Sequence, residues 1–100
     1  MSIQNINSAP EYINKFIKEN LEQLSKIYDE GKDNLIEDGL LVCKCSEKDN
    51  RMDIQFMSDD MFSEIITKET WIPYKESLSK DKKIMFIQDL DLNCVFLVNL

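Results

Sequence analysis

The sequence predicts an α+β domain: a long N-terminal helix packed on a mostly antiparallel four-stranded sheet made of two hairpins, with a short second helix between them. Three observations carry this. Apolar residues recur at helical spacing from Ile13 to Tyr28. Two stretches, 40–57 and 84–99, each hold a pair of strand-like segments around a short connection, and a second helical stripe lies between them. One hundred residues suit a single core. With 43% hydrophobic and 31% charged residues, and only two Gly and two Pro, disordered, collagenous and low-complexity classes are excluded.

Residues 1–8 read as a flexible lead-in and 9–100 as the single domain, because Ile3 and Ile6 are the only sizeable apolar side chains after Met1 in the first seven residues. Ser8-Ala9-Pro10-Glu11 has the spacing of a capping box, and proline is tolerated in a first helical turn, where its missing donor would be orphaned anyway. Ile13, Phe16, Ile17, Leu21, Leu24, Ile27 and Tyr28 then form one stripe. Gly31 is placed to close the helix in the left-handed conformation, giving a first helix over 9–30.

Asp38-Gly39 marks a turn into a strand over 40–46, in which Leu41, Cys43 and Cys45 share one face. Glu47 to Asn50 is a polar hairpin loop. The strand over 51–57 returns with Met52, Ile54 and Phe56 opposite Asp53 and Gln55. Ser58 is an N-cap acceptor followed by two acids that suit a helix N-terminus, and Met61, Phe62, Ile65 and Ile66 extend a helix to about Lys68. Branched residues over 65–71 leave a strand as the alternative there. Pro73 argues for extended backbone at Ile72, and 75–83 reads as a loop or a short helical turn. Strands over 84–88 and 93–99 close the chain. The last carries Cys94, Phe96 and Val98 on one face and Val95 and Leu97 on the other. A strand apolar on both faces needs cover twice: it lies centrally between helices, or its second face meets another chain.

Charge and reactive side chains narrow the function. Twelve basic against 19 acidic residues and no His leave a net charge of −7. The excess is even, six basic to ten acidic residues in 1–50 and six to nine in 51–100. Such a chain repels phosphate backbones and anionic membrane surfaces, and attracts basic partners. Three cysteines with no signal-peptide pattern fit a reducing cytoplasm, and Cys43, Cys45 and Cys94 read as small buried hydrophobes. No metal or cofactor is expected. Zinc lacks its ligand set, and Gly31 and Gly39 are too isolated for a phosphate loop. Asp89-x-Asp91-x-Asn93 opens like a calcium loop but has Cys94 where that loop needs Gly. Without His, a nucleophilic cysteine has no evident base, so no enzymatic activity is expected.

What remains is binding. Asp29, Glu30, Asp33, Glu37 and Asp38 stand against one Lys32, and they begin at the carboxyl end of the first helix, where the helix dipole favours cations. Trp71 and Tyr74 belong to the densest aromatic cluster, which serves as an interface anchor or as a lid on the core. In gross character the chain resembles toxin-immunity proteins and phage-encoded inhibitors, which are similarly short, acidic and free of catalytic motifs. That likeness implies an inhibitor docked on the basic cleft of a nuclease or toxin. Carboxylates of the 29–38 segment, with Asp59 and Asp60, would then stand where phosphates bind, and an aromatic anchor would slow release. The alternative is a homo-oligomeric structural or chaperone-like module, its interface on Val95 and Leu97.

Overall fold

The computed structural model describes residues 3–35, 39–78 and 83–100, and the side chains of all of these except 32–35, 39, 77 and 78. The elements run β1 (Ile3–Asn5), a 3-10 turn (Ile6–Ser8), α1 (Glu11–Leu35), β2 (Gly39–Ser46), β3 (Arg51–Ser58), α2 (Asp59–Ser63), α3 (Lys68–Leu78), β4 (Ile84–Asp89) and β5 (Cys94–Asn99). The class is the expected α+β. The sheet, however, has five strands in the order β1-β5-β4-β2-β3 and is mixed rather than antiparallel.

Both hairpins form where the alternation places them. β2 and β3 pair antiparallel from Gly39 opposite Ser58 to Ser46 opposite Arg51, and β4 and β5 from Ile84 opposite Asn99 to Asp89 opposite Cys94. The hairpins join through β2 and β4, which run parallel with Val42 beside Phe86. The 25 residues between β3 and β4 are long enough for a crossover, and α2 and α3 supply it, so β4 lands beyond β2 in the same direction. The fifth strand corrects the expectation of a flexible lead-in: Ile3–Asn5 pairs parallel with Val95–Leu97 and covers the outer edge of β5.

Residues opposite each other in the ladders share a face. One face presents Cys43, Phe56, Ile87 and Phe96 and meets α1, whose Ile13, Leu24 and Tyr28 are buried. The other presents Val42, Met57, Phe86 and Val95 and meets α2 and α3, with Phe62 and Tyr74 against the Phe86 ring. Helices above and below explain a last strand that is apolar on both sides. Val95 is therefore core, and Leu97 is half-buried beside Ile3 and Tyr74, not the free face that an interface on these residues would need.

The helices depart from expectation in ways that have physical causes. Ser8 ends the 3-10 turn, and α1 starts two residues beyond Ala9, with the Pro10 carbonyl accepting from the Ile13 and Asn14 amides. Leu21, in the predicted stripe, is 44% exposed. Gly31 does not close α1, which continues to Leu35, and no described glycine has positive φ. Its role is clearance: a Cβ there would lie 1.9 Å from Cζ of Phe56. Ser58 caps α2 as expected, accepting from the Met61 amide at 3.2 Å, but α2 stops at Ser63 and a separate α3 follows. Pro73 sits inside α3, so Ile72 is helical and not extended. A proline there removes one helical hydrogen bond, at a typical cost of about 3 kcal/mol. Pro73 and Glu69 are both exposed, which leaves the Glu69 carbonyl, the missing bond's acceptor, close to solvent, while Trp71 alongside is fully buried.

Candidate functional site

The acidic positions come together only in part. Pairing of Gly39 with Ser58 sets the start of β2 beside the N-terminus of α2, at the end of the sheet where Lys83 enters β4. There Lys83 Nζ donates to Asp29 at 2.8 Å, and Lys75 Nζ donates to both carboxylate oxygens of Asp59 at 2.8 Å. Glu30 and Asp60 are exposed. Glu37, Asp38 and the side chain of Asp33 lie outside the described residues. Two of the expected phosphate mimics are thus matched by lysines of their own chain.

The aromatic cluster resolves to the lid. Trp71 is fully buried with its ring centroid 5.7 Å from that of Phe62, and Tyr74 is half-buried, edge-on to Phe86 at 6.1 Å. Trp71 is no surface anchor.

The opposite end of the sheet is more sharply built. Asp89, the last residue of β4, is fully buried. Its Oδ2 accepts from the Tyr12 hydroxyl of α1 at 2.5 Å, and its Oδ1 accepts from the Asp91 and Leu92 amides at 3.0 and 3.3 Å. A buried carboxylate is tolerated only when donors surround it, and these three do so while fixing the turn. Asp91 ties this turn to the other hairpin. Its Oδ1 accepts from the Ser46 hydroxyl at 2.7 Å and its Oδ2 from the Lys48 amide at 3.2 Å, and Ser46 Oγ accepts from the Asp49 amide. The Leu90 amide donates to the Cys45 carbonyl at 2.8 Å. Each loop ends on an asparagine of positive φ, Asn50 at 50° and Asn93 at 52°, the residue type best suited to that conformation.

The D-x-D-x-N spacing is therefore a lock between two hairpin loops. What the lock presents is apolar: Leu90 is 39% and Leu92 57% exposed, at a turn where polar residues are the rule. Between the loops lies a shallow depression lined by Glu47, Lys48, Leu90 and Asp91. In the sequence the acids of this segment draw attention as a calcium-like spacing, and the leucines between them do not. Two leucines in a four-residue turn were the available signal.

Electrostatics at this end favour structure over reactivity. Burial, followed by the hydrogen bond to Asp89, pushes the Tyr12 hydroxyl well above its usual range. Burial pushes the Cys43 and Cys45 thiols up to about 12 and raises Cys94, so these sulfurs stay protonated near neutrality and are poor nucleophiles. Among the described residues no group of acids and thiols is arranged to hold a metal ion, and no helix is long and apolar enough to cross a membrane.

Asp91 moves the other way. The Ser46 hydroxyl, followed by the Lys48 amide, holds its carboxyl below the usual carboxylate range. A depressed value in the folded state means that the tie is fully present above the unfolded value and is lost as pH falls through the folded one. Carbon-detected titration of Asp91 is expected to show a midpoint lowered from that of an unperturbed aspartate, and Ser46→Ala is expected to move it upward. An unshifted midpoint in both proteins would contradict the tie.

Comparison with known proteins finds no matching family model, no similar curated protein and no similar solved structure.

Proposed function

We propose that this protein is a non-catalytic binding module, a small acidic inhibitor in kind, that docks on a basic protein surface such as the cleft of a nuclease or toxin. Its contact surface is the hairpin-loop end. The observation that carries this reading is the pair Leu90 and Leu92, exposed on a turn whose backbone is held by Asp89 and Asp91. Apolar side chains on a fixed backbone lose little conformational entropy on docking, and an apolar centre with a polar rim is the usual plan of a specific interface. The net charge of −7 favours encounter with a basic partner and makes the association rate sensitive to salt. The opposite end is less suited, since Asp29 and Asp59 already hold lysines.

The test compares immobilised wild-type protein with the double variant Leu90→Ser/Leu92→Ser and with Asp29→Lys/Asp60→Lys in extracts of the native host. The reading expects a basic protein retained by wild type, released by salt, lost with the leucine variant and kept by the other. Loss only with the lysine variant would return the contact surface to the acidic end. Equal retention by all three would contradict both placements.

A further inference from the structure

The two edges of the sheet are treated differently. β1, at one edge, is three residues long, and shortness is a common way to blunt an edge. β3, at the other, has eight residues, pairs with β2 along its whole length without a bulge, and contains no proline. Its two charges do not guard it: Arg51 and Asp53 lie on the same face and are ion-paired with each other. On the opposite face Met52, Ile54 and Phe56 are only half-buried, so an apolar strip runs along a strand that has no partner strand on its outer side among the described residues.

We propose that β3 is the seat of a twofold homodimer, in which two copies pair their β3 strands antiparallel into one ten-stranded sheet. The side chains select the register. Centring the axis on Ile54 sets Ile54 against Ile54 of the second copy, and Met52 against its Phe56, which extends the apolar strip across the junction. On the other face the same register sets Asp53 against Gln55 of the second copy, whose amide can donate to the carboxylate. Shifting the axis by one residue to Asp53 would set two Asp53 carboxylates against each other, which like-charge repulsion disfavours. Across the central span from Met52 to Phe56 each side chain meets its complement, with Arg51 against Met57 of the second copy only at the ends of the ladder, and a second copy of this chain is therefore the occupant that this edge fits.

Light scattering on the full chain tests this, with Gln55 as the probe because it is exposed and its replacement leaves the fold intact. Wild type is expected to show twice the chain mass of 11.8 kDa. Gln55→Glu, which places a second acid against Asp53 twice per dimer, is expected to weaken the dimer about fivefold, and Gln55→Lys to leave it equal or tighter. Ile54→Lys is expected to give a monomer with an unchanged far-ultraviolet spectrum. If that variant unfolds, the Gln55 pair still decides. A wild-type mass equal to one chain at the concentrations of an NMR sample would overturn the proposal, as would equal effects of Gln55→Glu and Gln55→Lys.

Discussion

Trp71→Ala is expected to destabilise the fold by about 3–5 kcal/mol, the usual range for emptying a fully buried aromatic site. Trp71 is the largest fully buried side chain among the described residues, and its ring packs against Phe62, which in turn packs against Phe86 of the sheet at 4.9 Å. Removing it leaves a cavity beneath a helix already weakened by Pro73. A small domain holds only about 5–15 kcal/mol in all, so the variant is expected near the limit of folding. Its melting temperature should fall by about 15–30 °C. Trp71→Phe keeps a ring against Phe62 and is expected to recover most of the loss. If Trp71 were an exposed anchor, Trp71→Ala would shift stability by about 0.5 kcal/mol or less, and urea unfolding separates the two outcomes plainly.

Asp89→Ala is expected to cost about 3 kcal/mol by a different route. It strips the acceptor from the Tyr12 hydroxyl and from the Asp91 and Leu92 amides at once, and buried donors left without a partner cost about 1–3 kcal/mol each before the loop relaxes. Asp89→Asn keeps an oxygen for the two amides and is expected to lose much less. Tyr12→Phe removes a single donor and is expected near the low end of that range. Unfolding curves for the three variants check the order. The same lesion bears on function, because a turn freed from Asp89 no longer holds Leu90 and Leu92 in place. Partner binding is therefore expected to fall with Asp89→Ala by more than with Asp89→Asn, although Asp89 itself does not reach the surface.

The strands were legible because their signal is local. Met52, Ile54 and Phe56 alternate with Asp53 and Gln55, and the turn residues around them leave no other phase. Ser58 was legible as a cap for the same reason: one hydroxyl serves an amide three residues away. What the sequence concealed is set by partners far along the chain. Three residues cannot display a period, so β1 exists only because β5 needs an edge neighbour. The parallel pairing of β2 and β4 follows from where the crossover lands, which no residue of either strand records. Gly31 looked like a helix end because glycine commonly is one, yet its reason is a phenyl ring 25 positions later. Pro73 disfavours helix at Ile72, a local preference that the helix carrying the buried Trp71 overrides.

The acidic positions show a related limit of local reading. Charge was read by counting, and counting finds Asp29 and Asp59 without the lysines at positions 83 and 75 that fold back onto them. Asp89 and Asp91 have the opening spacing of a calcium loop without its sixth-position glycine. Their use as acceptors that weld two hairpin loops depends on Tyr12 and Ser46, which lie 77 and 45 residues away.

The most direct measurement is an amide correlation spectrum of the isotope-labelled protein titrated with a basic protein that the immobilised chain retains from host extract in a salt-sensitive way. The account predicts that shifts concentrate at residues 46–50 and 89–93, shrink when salt is added, and vanish with Leu90→Ser/Leu92→Ser. Shifts concentrated instead at 29–35 and 58–60, with the hairpin loops unmoved, would contradict it.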